Sequence, residues 1–266
     1  QGRWDDIKRL CNLKSLMCLP KEDGTFSNEI VIWNFPVAFF DLFEKCYICT
    51  YLWNGSIQKS YFDMYNVKYK HMTLKDKKLE PYFPEKELAQ RMRYFQLINL
   101  YSGNLNNIGV PKNKKENPLC VSWYKRKSKT ETGRLFLTQI KKNTENYFKN
   151  IVKTKSNVNM YTTFEDYKKY IAGDYYTKGF VACNCKGTNK YRHKESLAYL
   201  INLFPPQNLV TFFASQGIVF DKDMYALSEL LQWIWRSRIR EGKTINLYIP
   251  SGRMRELLSS WALCKI

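Results

Sequence analysis

Read from its N-terminus, the chain alternates short apolar runs with amphipathic stretches, the pattern expected of strands and helices in turn. Positions 4–13 space their apolar residues as a short helix does, and 16–19 and 29–33 are apolar runs of strand length. A polar turn is expected over 22–25. Pro36 opens a helix to about position 45, because Pro suits the first helical turn. The run CYICTYLW at 46–53 has the length and continuous apolar character of a strand buried on both faces. Asn54, Gly55 and Ser56 make a turn, a helix follows over 57–65, and 67–71 predicts another strand.

The next stretch differs. Pro84 and Glu85 begin a helix to about Tyr101, followed by the loop SGNLNNIG. PKNKKENP and YKRKSKTETG have loop composition, and 133–152 predicts a helix that offers Leu135, Ile140, Tyr147 and Phe148 to a core. The alternation then resumes with a helix from Thr163, a strand over 179–183, and a helix over 195–204 ended by Pro205 and Pro206. A long helix, a strand over 245–249 and a final helix from Ser251 complete the pattern. It predicts an α/β fold, a doubly wound and mostly parallel sheet with a basic, partly helical insertion. The expected division is 1–71 as the first part of the α/β body, 72–155 as the insertion or lid, and 156–266 as the second part.

Charge sharpens this picture. With 43 Lys or Arg against 24 Asp or Glu, the net charge is +19, a balance that favours polyanions and nucleic acid first. Positions 110–155 hold thirteen Lys or Arg against three Glu, about half of that excess. No run of about 18 apolar residues is present, so no membrane partner is expected. The chain starts at Gln1 without Met or an apolar signal segment, as a fragment or processed product does. Eight cysteines in 266 residues suit a reducing cytoplasm better than a secreted disulfide scaffold.

Three groups of side chains stand out as candidate chemistry. Leu227, Leu230, Leu231 and Ile234 form an apolar stripe on the long helix, while Gln232, Arg236 and Arg240 lie four residues apart along another. Arginine forks suit phosphate, although a solvated basic face has the same spacing. Thr188, Asn189, Lys190 and Arg192 fall in a polar loop expected between a strand and a helix, where doubly wound sheets bind ligands. An ordinary polar loop is the competing reading. Lys125, Arg126, Lys127 and Lys129 interleave with Trp123 and Tyr124 as a nucleic-acid-binding tip, basic side chains tracking phosphates and aromatics free to stack on bases; the competing reading packs Trp123 in the core and exposes only the basic tip. No metal site is expected. Cys46 and Cys49, three apart in a strand, point to opposite faces, and they join Cys183 and Cys185 as mainly buried thiols. His71 and His193 have no visible triad around them.

The segments TTFEDYKKYIAGDYYTKGFVACN, TNKYR, ESLAYLINLF and YALSELLQWIWRSRIREGKTINLYIPSGRMRELL together resemble the C-terminal part of DEAD/DEAH-type helicase-like proteins from bacteriophages and mobile elements. IVIWNFPVAFFDLFEKCYICTYLWNGSIQKSYFDMYNV looks like an earlier part of the same region. The resemblance omits about 72–132 and is strongest over 162–259. It implies a second RecA-like domain (RecA2-like) in a bacterial host cytoplasm. Thr188 and Asn189 then resemble its threonine-containing loop motif, and Gln232, Arg236 and Arg240 its final Gln/Arg motif. Arg236 and Arg240 become arginine-finger candidates, and Gln232 a contact to nucleotide or water. The motif places its second arginine seven residues after Gln, where this chain offers Arg238 at six and Arg240 at eight.

A phosphate-binding loop is missing. The GKT at 242–244 has Ser237 where that motif needs its first Gly, and it sits between a helix and a strand. It reads as a helix-ending Gly. An acidic metal-binding pair in the right setting is missing too. The implied function is the C-terminal half of a phage or mobile-element helicase-like ATPase, hydrolysing little or no ATP alone. ATP and Mg would be held only once a separate N-terminal P-loop domain completes the site, and the nucleic acid is DNA ahead of RNA. The alternative is a non-enzymatic phage-derived protein that binds nucleic acid or blocks a host protein complex.

Overall fold

The computed structural model describes residues 2, 4–13, 15–20, 25–185 and 187–266. Contacts divide the chain into two compact units, Gln1–His71 with Pro205–Lys222 and Met72–Phe204 with Asp223–Ile266.

In the first unit, helix α1 (Asp5–Asn12) leads into an antiparallel hairpin of β1 (Leu16–Pro20) and β2 (Phe26–Trp33). Most of the turn expected between them lies outside the described residues. The helix expected from Pro36 shrinks to a 3-10 stretch, Val37–Leu42. CYICTYLW forms no strand, and Cys46 and Cys49 are exposed rather than buried. A strand buried on both faces needs paired neighbours and a layer on each side. This unit's described sheet contains only β1 and β2. Helix α2 (Ile57–Met64) follows the expected turn, capped by Ser56, whose hydroxyl accepts from the Lys59 amide at 3.1 Å.

The second unit opens with a hairpin of β3 (Met72–Lys75) and β4 (Lys78–Pro81), so the strand expected at 67–71 forms just after it. Asp76 and Lys77 make its two-residue turn with φ of 47° and 64°, as a tight hairpin turn requires. Then come α3 (Leu88–Gln96), β5 (Ile98–Leu100), α4 (Val121–Lys129), α5 (Glu131–Asn146), β6 (Asn159–Thr162), α6 (Lys168–Ile171) and β7 (Ser196–Tyr199). After α7 (Gln207–Ser215), which belongs to the first unit, follow α8 (Lys222–Ile234), β8 (Ile245–Tyr248) and α9 (Gly252–Ala262).

Strands β5, β8, β7 and β6 lie in that order in one parallel sheet. Ala198 and Tyr248, paired across β7 and β8, face a core that includes Tyr124 of α4 and Leu137 and Ile140 of α5. Tyr199 faces the opposite side, its ring 5.4 Å from Trp233 of α8. Trp261 of α9 packs on the same side, 5.7 Å from Trp235. Buried polar edges are answered: the Tyr124 hydroxyl donates to Leu200 O at 2.6 Å, and Trp233 Nε1 to Val181 O at 3.0 Å.

The expected parallel α/β architecture is present, with several elements reassigned. The helix expected over 195–204 is strand β7 and its extension, because its centre, Leu197 to Ile201, is apolar without a break and is buried on both faces. The helix expected to reach Tyr101 stops at Gln96, and Ile98–Leu100 pairs with β8. The YKRKSK segment is the second half of α4, not a loop. The strand expected over 179–183 reduces to one bridge between Tyr161 and Phe180. Region 72–155 supplies β5 and, with Leu119, Trp123, Leu137, Ile140, Tyr147 and Phe148, much of one core. Leu135 is instead exposed. Among the described residues, no helix is long and apolar enough to cross a membrane.

Candidate nucleic-acid and phosphate interface

The loop bearing Thr188 to Arg192 leads into β7, so it sits at the amino edge of the sheet rather than between a strand and a helix. The segment after α8 leads into β8 and reaches that edge too. Helix α8 ends at Ile234, Trp235 and Arg236 turn, and Arg238–Glu241 is a 3-10 stretch. Gln232, Arg236 and Arg240 are therefore not a stripe of one continuous helix. Gly242 ends the stretch with φ 72°, the left-handed conformation that favours glycine, which accounts for the GKT without a phosphate loop.

The two motifs nevertheless meet. Arg236 Nη1 donates to Thr188 O at 3.3 Å, and Arg240 Nη1 donates to Asn189 Oδ1 at 2.5 Å. Arg236 Nε is buried with no hydrogen-bond partner among the described residues. A guanidinium carries five donors, so one bond to the loop leaves each arginine with donors to spare. Gln232 is half-buried on α8 and makes no hydrogen bond among the described residues. Lys190 is exposed, its amide bonded to Thr188 Oγ1 at 3.2 Å, and exposed Arg192 lies 4.0 Å from Glu241. Hydrogen bonding to Lys243 holds the Glu241 carboxyl below its usual pKa.

At this edge the structure separates the two choices for the second arginine, Arg238 and Arg240, and adds Lys194, which pattern reading missed. Arg238 donates through Nη1 to Glu195 Oε2 at 2.6 Å and through Nε to Thr244 O at 2.6 Å, tying the turn after α8 to the start of β7. That engagement leaves Arg240, not Arg238, as the second arginine on the loop. Lys194 is buried, donates to Asn157 O at 2.7 Å, and has its pKa lowered by burial. A single residue's spacing carries no sign of either contact.

The basic tip is a separate surface. Lys125, Arg126 and Lys129 are exposed on α4, while Lys127 is half-buried with Nζ 3.8 Å above the Phe136 ring. Trp123 is 2% exposed, so the core reading holds for it and it presents no face to a base. Glu116 organises the corner: its carboxylate accepts from Trp123 Nε1 at 3.1 Å, Arg126 Nη2 at 3.4 Å and the Lys112 amide at 3.1 Å. Exposed Lys112, Lys114 and Lys115 thereby join the patch, a link that the neighbouring PKNKKE run signals only by its charge. Cys183 and Cys185 are half-buried, with the Cys183 thiol pushed up in pKa by burial, and no metal-holding group of three His, Cys, Asp or Glu exists among the described residues.

A parallel sheet with helices on both faces, and polar loops at its edges, defines a Rossmann-like α/β domain. Residues 92–262 match the family described as the YonV C-terminal Rossmann-like domain, and the chain belongs to that family. It is also 37% identical over 265 residues to the SPbeta prophage-derived uncharacterized protein YonV of Bacillus subtilis (strain 168). The alignment covers 98% of this chain and 60% of that relative's length. No solved structure matches the chain significantly.

Proposed function

We propose that this chain is the RecA2-like half of a phage helicase-type ATPase, binding DNA in preference to RNA. One observation carries the reading: Arg236 and Arg240 converge on Thr188 and Asn189, 48 and 51 residues away in sequence. A rigid pair of guanidinium groups beside a Thr-Asn loop is suited to charge on a transferring phosphoryl group. ATP and its Mg are held by a separate P-loop domain in this reading, and Arg236 and Arg240 are presented to the γ-phosphate from the sheet's amino edge. Gln232 stands on the last turn of α8, four residues before Arg236, and orients a water or the nucleotide. Lys190 and Arg192, with Lys125, Arg126, Lys127 and Lys129 of the Glu116 corner, neutralise nucleic-acid phosphates without stacking on bases. The prophage origin of the relative supports the phage assignment.

The test is binding of single-stranded and duplex oligonucleotides across a salt series, with ATP hydrolysis followed in the same samples. Binding that weakens steeply with salt, without turnover, is the expected result. Turnover by this chain alone, or no binding at low salt, overturns the proposal. In an enzyme completed by a P-loop domain, Arg236→Gln or Arg240→Gln lowers kcat by about 10³ or more.

A further inference from the structure

The carboxyl edge of the sheet holds a cleft that the reading above does not use. Strand β5 hands the chain to α4 and α5 on one face, whereas its neighbour β8 hands it to α9 on the other. Adjacent strands whose connections leave to opposite faces open a crevice between them, the usual ligand position in open α/β sheets. Here the cleft has a volume of about 380 Å³. Its walls include Tyr101 and Ser102 from the end of β5, and Arg255, Glu256, Ser259 and Ser260 from α9.

Its polar groups are held in place yet unspent. Arg255 Nη1 donates to Ile249 O at 2.6 Å and to Pro250 O at 2.9 Å, fixing a half-buried guanidinium. Its Nε and Nη2 make no hydrogen bond among the described residues, and although the neighbouring Glu256 charge acts on it, no carboxylate there forms an ion pair with it. The hydroxyls of Ser102, Ser259 and Ser260 likewise make none among the described residues. The loop behind Arg255 is firm, because Gly109 packs so closely on Pro250 O that a Cβ has no room. Three serines with unbonded hydroxyls and an arginine anchored through one nitrogen therefore line one small cleft beside Leu100 and Tyr101.

We propose that this cleft binds a small phosphorylated molecule carrying hydroxyl groups, of the nucleoside monophosphate class. Arg255 takes the phosphate, for which its planar donors are suited. Glu256, beside it, repels a bare multivalent anion but accepts from sugar hydroxyls, and the serines serve either part. A triphosphate brings more negative charge than one guanidinium answers. Leu100 and Tyr101 form the apolar wall for the base.

The test is calorimetric titration of the whole chain with adenosine 5′-monophosphate, and separately with adenosine and inorganic phosphate. The variants are Arg255→Gln, Ser259→Trp, which fills the cleft without touching the guanidinium anchor, and Arg240→Gln at the opposite edge. The monophosphate is expected to bind at least tenfold more tightly than either of its parts. Arg255→Gln and Ser259→Trp should each cost tenfold or more in monophosphate affinity, and Arg240→Gln, whatever it costs hydrolysis in a completed enzyme, should leave that affinity unchanged. Three results overturn the proposal: no monophosphate binding, binding that survives Ser259→Trp, or equal affinity for inorganic phosphate. Loss of binding in Arg240→Gln alone moves the nucleotide to the amino edge, which overturns this site while sparing the helicase reading.

Discussion

The unit formed by Gln1–His71 and Pro205–Lys222 carries ten Lys or Arg and nine Asp or Glu, a net of +1, whereas the other unit carries 33 and 15, a net of +18. Their interiors differ as much as their charges. Among the described residues of the first unit, the buried large hydrophobics are Phe62, Phe212, Phe213 and Phe220. Trp33, Phe35, Phe39, Leu42, Phe43 and Tyr47 are exposed there, with Phe35, Phe39 and Phe43 in edge-to-face contact. The second unit buries Trp233, Trp261 and its Tyr124, Tyr147 and Tyr248 cluster around a parallel sheet. Apolar sequence becomes core only where another layer covers it, and charge gathers on the unit whose interior is already closed.

That contrast can be broken by stability measurements. Trp233→Ala removes a fully buried ring and its bond to Val181 O, and should cost about 3–5 kcal/mol in urea unfolding. Leu42→Asn, at a 75% exposed position, should cost no more than about 0.5 kcal/mol. Similar losses for the two would erase the distinction between the units.

Charge offers a second comparison. Replacing Lys125, Arg126, Lys127 and Lys129 together by Gln should flatten the salt dependence of nucleic-acid binding by about 3–4 in the log–log slope. Lys68→Gln with Lys70→Gln, in the near-neutral unit, should leave the slope unchanged. A slope that responds to Lys68 and Lys70 instead would relocate the nucleic-acid surface.

The smallest effect is expected at Tyr161, whose buried hydroxyl has no partner among the described residues and whose pKa burial pushes up to about 12. A folded-state pKa above the unfolded value of about 10 gives stability that is complete below pH 10 and lost as pH rises toward 12. Tyr161→Phe should therefore be neutral or slightly stabilising at pH 7, and should make the alkaline fall between about pH 10 and 12 shallower. Urea midpoints taken along a pH series would show it, and an unchanged fall would assign the alkaline loss to other tyrosines.

Much of the second unit was legible from pattern alone. Strand β8, helix α9 with its Ser251 cap, and the glycine stop at Gly242 follow from local signals that tertiary contacts do not override. Position 195–204 was not legible, because its apolar centre, Leu197 to Ile201, has no periodicity with which to separate a buried helix from a buried strand. CYICTYLW failed for another reason: it is neither strand nor α-helix, because the described part of its unit offers no further strands and layers to cover an apolar run. At the candidate site, residue types were readable in Gln232, Arg236, Arg240, Thr188 and Asn189, while the edge of the sheet on which they stand was not. That edge depends on whether the segment after the loop is a strand or a helix.

By itself the sequence determined the α/β class, the strong positive charge, the absence of a phosphate loop and the residue types of the candidate site, since composition and spacing are local properties. Only the tertiary structure decided that Arg240 rather than Arg238 reaches the loop, that Glu116 gathers two basic segments, and that a cleft opens between β5 and β8. Each of those is a contact between residues far apart along the chain, set by strand order and by the face each helix covers, which local pattern does not encode.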